Sequence, residues 1–186
     1  MNRTLEIPAA LAGIIVAAPV IFVLVSLIRR ESEGPGIFSQ ERVGLDGRIF
    51  RCHKLRTMRR DAPNVPTHAA DGAQITPIGR FLRRTKLDEL PQLWNILKGE
   101  MSFVGPRPCL PSQVELIEER RRRGVLTIRP GITGLAQVND IDMSDPVRLA
   151  EKDAEYLDQR SLKLDLRLIY MTIFGRAGQG DRISNG

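Results

Sequence analysis

The sequence is poor in the residues that crosslinked or metal-caged domains need. It contains only two cysteines, Cys52 and Cys109, and two histidines, His53 and His68. These numbers effectively exclude a disulfide framework and a zinc site built from cysteine and histidine. Aromatic residues make up 5% of the chain, with a single tryptophan, so stacking platforms for single-stranded nucleic acid are not expected. A Walker A loop, a dinucleotide-binding glycine motif and an HExxH motif are also lacking.

What the chain does have is enough apolar material for one packed domain and an excess of positive charge. Its 186 residues are 42% hydrophobic and 27% charged, which fits a single domain with a small appendage. Lys and Arg number 28 against 22 Asp and Glu, giving a net charge of +6. This balance favours an anionic partner, which can be phosphate, nucleic acid or an acidic membrane surface.

An uncharged apolar stretch covers residues 7–28 near the N-terminus. It is long enough to span a bilayer as a helix, since about 20 residues suffice. A signal peptide cleaved near Ala17 is a weaker interpretation, because the apolar residues continue to Ile28 and the chain that follows is basic with no disulfide pattern. A plain transmembrane anchor therefore remains open.

A re-entrant hairpin that dips into one leaflet is the alternative. Pro19 lies inside the stretch, where it removes a helical hydrogen bond and predicts a kink. The halves on either side, residues 7–18 and 20–28, rise only about 18 Å and about 14 Å as helices. Basic residues, which favour the cytoplasmic side, flank both ends of the stretch: Arg3 before it, and Arg29 and Arg30 after it. Glu6 weakens this argument for the N-terminal end. These residues by themselves leave spanning and re-entrant placements evenly balanced.

The remainder is predicted to be α+β, mainly helical with a small β-hairpin. Residues 37–44 and 48–55 flank Leu45-Asp46-Gly47, a hairpin signal. Apolar residues at helical spacing predict a helix that stops at Lys98-Gly99: Leu87, Leu90, Trp94 and Leu97. Residues 61–74 are predicted to be a surface loop, and residues 103–111 an extended proline-rich loop. Residues 112–123 are predicted to form a helix, and residues 145–174 one or two helices.

An acidic pair with arginines before it could carry chemistry. Asp88-Glu89 follow Arg80, Arg83 and Arg84 by a few residues. Carboxylates hold Mg²⁺ and arginines grip phosphate, while an ionised aspartate is a credible nucleophile towards phosphorus that needs no general base. On spacing alone, however, the acids are better explained as the first turn of a helix.

That structural alternative depends on two neighbours. Thr85-x-x-Asp88 has the form of a capping box, and Pro91 would be ordinary in the first turn of a helix that starts near Asp88.

Other cations are candidate phosphate contacts with equally plain alternatives. Arg107 lies between two prolines in a rigid loop, which suits anion recognition or a simple connector. Lys54 and Arg56 share one face of a predicted strand. The run of arginines at 120–123 is interpreted as a solvated helix side, and Cys52 and Cys109 as packing or surface residues.

Taken in order, the segments resemble the bacterial sugar transferases, the monotopic phosphoglycosyl transferases of polyprenol-phosphate pathways. The resemblance runs from residue 3 to residue 173, and the chain length matches the small catalytic-core type. It is carried by the Pro19 stretch and by four further segments: GPGIFSQERVGLDGRIFRCHKLRTM, ITPIGRFLRRTKLDELPQLWNILKGEMSFVGPRP, RPGITGLAQVN and DAEYLDQRSLKLDLRLIYMTI. The run from LDELPQLWN to MSFVGPRP is long and specific.

The resemblance implies a Mg²⁺-dependent transferase. Members move a sugar-1-phosphate from a UDP-sugar to undecaprenyl phosphate and release UMP. Asp88 would be the nucleophile that forms an aspartyl-phosphosugar ester, and Glu89 would assist; both would be metal ligands. Arg83 and Arg107 match phosphate-gripping positions, and Lys54, Arg56 and Arg84 complete the expected phosphate-binding set. The pathways served would make glycoconjugates such as exopolysaccharide or lipopolysaccharide.

The resemblance also implies placement and partners. Residues 1–30 would form a re-entrant membrane helix kinked at Pro19, residues 31–176 a cytosolic catalytic domain, and residues 177–186 a flexible tail. The protein would be monotopic in the bacterial inner membrane, with its catalytic domain on the cytoplasmic face. Expected partners are the donor, the lipid acceptor, the bilayer and downstream glycosyltransferases, with no nucleic acid.

The chain departs from the family pattern at three positions. Ala18 replaces the usual serine before the break proline, Glu6 an aspartate, and Gln74 an arginine. Two other functions remain as alternatives: a membrane-tethered basic module that binds nucleic acid or anionic lipid without catalysis, and a hydrolase in which water replaces the lipid acceptor.

Overall fold

The computed structural model describes residues 2–60 and 74–174. Helices account for most of the secondary structure, beside two small two-stranded sheets, so the prediction of a mainly helical α+β fold is confirmed. The predicted loop at 61–74, apart from Gln74, and the predicted tail at 177–186 lie outside the described residues. The elements are α1 (Arg3–Glu31), β1 (Ile37–Val43), β2 (Ile49–Leu55), α2 (Pro77–Thr85), α3 (Gln92–Lys98), β3 (Ser102–Val104), α4 (Val114–Arg122), β4 (Gly131–Thr133), α5 (Leu135–Val138), α6 (Pro146–Gln159) and α7 (Leu162–Phe174).

The apolar N-terminal stretch forms one helix, α1, that is long and apolar enough to cross a membrane. It begins after Asn2, whose side chain accepts a hydrogen bond from the Thr4 amide, and it continues through Pro8 and Pro19. A helix that continues through Pro19 is compatible with the predicted kink, because a proline bends a helix without having to end it. A kink at Pro19 and a re-entrant path in a bilayer stay predictions.

One stripe of α1 packs against the rest of the protein along its whole length. The buried positions recur every four or seven residues, which places them on one helix face: Glu6, Ala10, Ala17, Leu24 and Ile28. Ala10 contributes to a core with Leu93 and Ile96 of α3, and Leu24 to another with Leu55 and Leu82. Large apolar side chains cover the outer face, among them Ile15, Val16, Phe22 and Val23. This exposed apolar surface is typical of a helix that contacts lipid.

Both ends of α1 are tied to the folded domain by buried or half-buried arginines. Arg3 donates to the carbonyls of Ile96 and Leu97, at 2.6 and 3.3 Å. At the other end, Arg56 donates to the Glu33 carbonyl at 2.6 Å and the Ser32 carbonyl at 2.7 Å. The expectation that Arg56 binds substrate phosphate is therefore not supported: the side chain is 7% exposed, and its donors satisfy carbonyls at the end of a helix.

Replacing Arg56 by methionine is expected to destabilise the protein by about 2–4 kcal/mol, because several partly buried carbonyls lose a charged donor. Thermal unfolding of the variant measures the loss. Arg60→Met is the matched control, since Arg60 is exposed nearby. An unfolding temperature as high as that of the unchanged protein would contradict this structural role.

The predicted hairpin is confirmed. Strands β1 and β2 pair antiparallel, with Ile37 opposite Leu55 and Val43 opposite Ile49. Asp46 and Gly47 at the tip both have positive φ, 54° and 76°, which the Asp-Gly pair accommodates more easily than most residues.

A second sheet was not predicted. Strands β3 and β4 pair parallel, with Ser102 opposite Gly131. Each strand has only three residues and lies next to prolines, so neither has enough length to show an alternating pattern. Gly131 is required here, because a Cβ atom at that position would lie 2.1 Å from the Gly105 nitrogen.

The helical predictions are confirmed in part. Residues 112–123 contain α4, and residues 145–174 divide into α6 and α7. The helix predicted from Leu87, Leu90, Trp94 and Leu97 ends at Lys98-Gly99 as expected, but it begins only at Gln92. Leu87–Glu89 form a 3₁₀ turn between α2 and α3. The acidic pair occupies the intervening segment.

Candidate active site

The acidic pair lies on a 3₁₀ turn between two helices. Lys86 ends α2 in the left-handed conformation, with φ of 57°, and Leu87–Glu89 form the turn. Thr85 is the last residue of α2 and donates its hydroxyl hydrogen to the Phe81 carbonyl at 2.9 Å. The capping-box interpretation is therefore wrong, and the carboxylates of Asp88 and Glu89 are not the first turn of an α-helix.

Two cations converge on one oxygen of Glu89. Lys54 Nζ lies 2.8 Å from Glu89 Oε1, and an Arg107 guanidinium nitrogen lies 3.3 Å from the same atom. The three side chains come from β2, the 3₁₀ turn and the loop after β3, so the tertiary fold assembles them. Positive charges that face a carboxylate in a partly buried cluster form a preorganised site for a second anion.

Asp88 is nearly buried beside this cluster, with 8% of its surface exposed. Burial raises its pKa from the usual 3.8 to about 6, since a charged carboxylate loses hydration. Lys54, Arg107 and Arg83 act in the opposite direction, and Glu89 adds to the rise. At neutral pH the carboxylate is thus ionised but more basic than an exposed aspartate, as suits a nucleophile.

Arg83 faces the site and Arg84 does not. Arg83 Nε donates to the Thr57 hydroxyl at 2.9 Å, and the Arg83 charge lowers the pKa of Asp88. The next residue, Arg84, is exposed, because consecutive helical residues point about 100° apart. Of the predicted phosphate-binding cations, the structure brings Lys54, Arg83 and Arg107 to the acidic pair.

A buried asparagine that the sequence analysis missed fixes the relation between β2 and α3. The Asn95 side chain has no exposed surface. Its oxygen accepts from the His53 amide at 3.1 Å and its nitrogen donates to the Arg51 carbonyl at 2.7 Å. Lys54 follows directly on the same strand. The only signal was an amide among the apolar residues in the middle of the helix QLWNILK.

Replacing Asn95 by alanine is expected to cost about 2–4 kcal/mol of stability, because backbone groups on β2 lose their partners. Asn139→Ala is the matched control, since Asn139 also donates to a carbonyl, that of Leu135, but is exposed. Urea denaturation of both variants compares the losses. Equal, small losses would contradict the anchoring role.

The arginine run on α4 is not uniformly solvated. Arg121 and Arg122 are exposed and pair with Glu118, as expected. Arg120 is buried, however, and lies 2.7 Å from Asp153 of α6. The expectation for this residue is wrong because a four-residue charge run does not reveal which member points inward.

The acidic pair suits a magnesium ion completed by substrate. Among residues 2–60 and 74–174, no group of three or more Asp, Glu, His or Cys side chains could hold a metal. Mg²⁺ is commonly held by one or two carboxylates with phosphate oxygens and water completing its shell. Asp88 and Glu89 fit that pattern, whereas a metal site built wholly from protein ligands does not.

Comparison with known proteins gives a consistent family match. The profile of the family described as bacterial sugar transferase matches residues 1–178. The galactosyl transferase CpsE of Streptococcus agalactiae is 39% identical over 92% of this chain and 41% of its own length. The UDP-glucose:undecaprenyl-phosphate glucose-1-phosphate transferase of Caulobacter vibrioides is 37% identical over 92% of this chain and 68% of its own length.

A third relative is closer in size. An uncharacterised sugar transferase of Bacillus subtilis, EpsL, is 34% identical over 93% of this chain and 85% of its own length. This chain therefore spans less than half of CpsE but most of EpsL.

Proposed function

The chain belongs to the bacterial sugar transferase family, and from that premise we propose that it moves a sugar-1-phosphate from a UDP-sugar to undecaprenyl phosphate. The observation that carries the proposal is the buried Asp88 beside Glu89, Lys54 and Arg107. A nucleophilic carboxylate among fixed cations suits transfer between two anionic substrates.

In the first half-reaction, an Asp88 carboxylate oxygen attacks the β-phosphorus of the donor. A new P–O bond forms, the bond to the bridging oxygen breaks, and UMP leaves with the electron pair. No general base is needed at neutral pH, because the pKa of Asp88 is about 6. Lys54, Arg83 and Arg107 offset the negative charge that accumulates on the phosphate oxygens.

In the second half-reaction, a phosphate oxygen of the lipid acceptor attacks the same phosphorus. The Asp88 carboxylate is released, and the product is a polyprenyl-diphosphate-sugar. A covalent intermediate lets one site serve a soluble donor and a membrane-bound acceptor in turn. Downstream glycosyltransferases would extend the lipid-linked sugar.

We propose Mg²⁺ as the cofactor, held by Asp88 and Glu89. When bound, the ion would supply positive charge to the phosphate oxygens of the donor. Lys54 and Arg107 both contact Glu89 Oε1, so the Glu89 carboxylate is kept oriented while substrate binds.

For the membrane we propose a monotopic arrangement with both ends of α1 at the cytoplasmic face. The helix has 29 residues, about 43 Å, and its two ends contact the folded domain through Arg3 and Arg56. If α1 crossed the bilayer, the domain that it packs against would have to cross as well. Polar loops and open sheet edges are not tolerated in hydrocarbon.

Cysteine labelling from each side of the membrane tests this arrangement. The native Cys52 and Cys109 are buried and free, so single cysteines introduced as Asn2→Cys and Glu33→Cys should be the reactive ones. Both are expected to react with an impermeant maleimide only from the cytoplasmic side. Labelling of the two positions from opposite sides would show that α1 spans the bilayer.

The function itself is tested by incubating the membrane-embedded protein with a panel of UDP-sugars and undecaprenyl phosphate while UMP release is measured. Multiple turnovers that require the donor, the lipid acceptor and Mg²⁺ support the proposal, and donor alone should release no more than one UMP per protein. Continued release beyond one equivalent without the lipid acceptor indicates the hydrolase. No release with any donor, together with salt-sensitive binding of DNA or anionic vesicles, indicates the non-enzymatic module.

A further inference from the structure

The loop that carries Arg107 is held by its backbone carbonyls. Arg120 donates to the Arg107 carbonyl at 2.9 Å, and Arg42 to the Pro108 carbonyl at 3.1 Å. The Val43 amide donates to the Cys109 carbonyl at 2.9 Å. Three consecutive acceptors thus have a donor each, although the two prolines that flank Arg107 supply no N–H of their own. The side chain of Arg107 projects from this fixed backbone to Glu89.

Arg120 is the buried member of that set of donors. Its Nε and Nη2 lie 2.9 and 2.7 Å from Asp153 Oδ2, and its Nη1 bonds the Arg107 carbonyl. Arg120 and Asp153 are each 2% exposed. All three guanidinium nitrogens are therefore used, and the carboxylate fixes the direction in which Nη1 points.

A buried ion pair is weak evidence for stability, because the cost of desolvating both charges offsets their attraction. Its geometry is nevertheless rigid, since two donors on one side and a carbonyl on the other define the guanidinium plane. The chain Asp153–Arg120–Arg107 carbonyl connects α6 through α4 to the loop beside the acidic pair.

We infer that Arg120 and Asp153 are positioning residues for donor binding: they hold the backbone of Arg107 so that its guanidinium meets the donor diphosphate next to Glu89. The inference rests on the proposed function, which gives Arg107 a phosphate to bind. It assigns no contact between Arg120 and substrate. Arg120 acts only through Arg107.

A matched control lies one helical turn away. Arg123 also connects α4 to α6, through Glu151 at 3.3 Å, and pairs with Glu119. It is only partly buried, and its hydrogen bonds go to Glu119 and Glu151 rather than to the loop. Arg123→Lys therefore makes the same substitution at a more exposed pair between α4 and α6 without disturbing the carbonyl of Arg107.

The experiment is a double-mutant cycle on the full chain in detergent or nanodiscs, with UDP and Mg²⁺ as the binding probe. Arg107→Met and Arg120→Lys are each expected to weaken UDP binding roughly ten-fold, as when a charge-assisted hydrogen bond is lost or misaligned. Lysine keeps the charge of Arg120 but cannot bond Asp153 and the loop carbonyl together in the same way. Arg123→Lys is expected to bind UDP as the unchanged protein does.

The coupling separates positioning from general destabilisation. In the Arg107→Met background, Arg120→Lys is expected to cause no further weakening, because its effect runs through the missing guanidinium. Equal weakening in both backgrounds, wild-type UDP affinity of Arg120→Lys, or wild-type affinity of Arg107→Met would each overturn the inference.

A second variant covers the case in which Arg120→Lys does not fold, and a separate measurement tests the proposed function. If Arg120→Lys does not fold, Asp153→Asn enters the same cycle, since the amide keeps one acceptor but loses the charge that orients Arg120. The proposed function fails separately, through absence of UMP release by the unchanged protein with every UDP-sugar and the lipid acceptor.

Discussion

Asp88→Asn is expected to abolish transfer, with kcat at least about 10³-fold lower, because an amide cannot form the phosphoester that divides the reaction. The side chain is nearly isosteric, so the fold should be retained. UMP release in the presence of both substrates measures the loss. Asp158→Asn is the control, since Asp158 is an exposed residue of α6, and its activity should not change.

The same substitution is expected to stabilise the protein when no divalent cation is present. Folding raises the pKa of Asp88 from 3.8 to about 6, so the folded state favours the protonated carboxyl. The stability of the folded state is therefore unaffected by Asp88 burial below pH 3.8, where the carboxyl is protonated in both states, and it falls as the pH rises through about 6. A difference of about two pKa units corresponds to at most about 3 kcal/mol.

The stabilisation therefore depends on pH in a defined direction. At pH 7.5 in EDTA, Asp88→Asn should unfold a few degrees above the unchanged protein, as about 3 kcal/mol implies for a chain of this size. Near pH 5 the two unfolding temperatures should approach each other. A variant that is less stable than the unchanged protein at pH 7.5 would show that Asp88 is held by attraction rather than strained by burial.

Glu89→Gln is the second large effect, with an expected loss of about 10²-fold in kcat/KM. The neutral amide removes the negative charge on which Lys54 and Arg107 converge, so the two cations repel and lose their alignment for phosphate. It also removes one of the two carboxylates proposed for Mg²⁺. Steady-state kinetics over a range of Mg²⁺ concentrations should show a raised requirement for the metal.

Glu118→Gln is the control for that variant. Glu118 pairs with Arg121 on the exposed side of α4, and surface pairs contribute at most about 1 kcal/mol. Its kinetics should match those of the unchanged protein. If Glu89→Gln were equally unaffected, the carboxylate would have no part in orienting the cations or the metal.

The parts of the fold that sequence patterns predict are those with enough length to repeat. The Asp46-Gly47 turn between two alternating segments predicted the hairpin, and the pattern of residues 112–123 predicted α4. Strands β3 and β4 have three residues each, too few for a period of two to appear. The break between α2 and α3 depends on the left-handed backbone conformation of Lys86. Lysine rarely adopts this conformation, so the sequence contains no signal for it.

For the site, the residue types and their spacing identified Asp88, Glu89, Arg83 and Arg107 as candidates, and the family resemblance implied their roles. It did not separate cations that serve the site from cations that serve the fold. Arg56 is two residues after Lys54 and was predicted to share its face of the strand, yet it bonds the carbonyls at the end of α1. Arg120 belongs to a run of four arginines but is buried against Asp153. Such differences depend on which distant carbonyl or carboxylate the fold brings near, and local spacing does not contain that information.

The most direct measurement is intact-protein mass spectrometry after incubation with Mg²⁺ and a UDP-sugar that supports turnover, without lipid acceptor. The account predicts a mass increase equal to one phosphosugar group, mapped to Asp88 by peptide sequencing, lost on addition of undecaprenyl phosphate and not formed by Asp88→Asn. Brisk turnover with no such adduct, or an adduct on another residue, would contradict it.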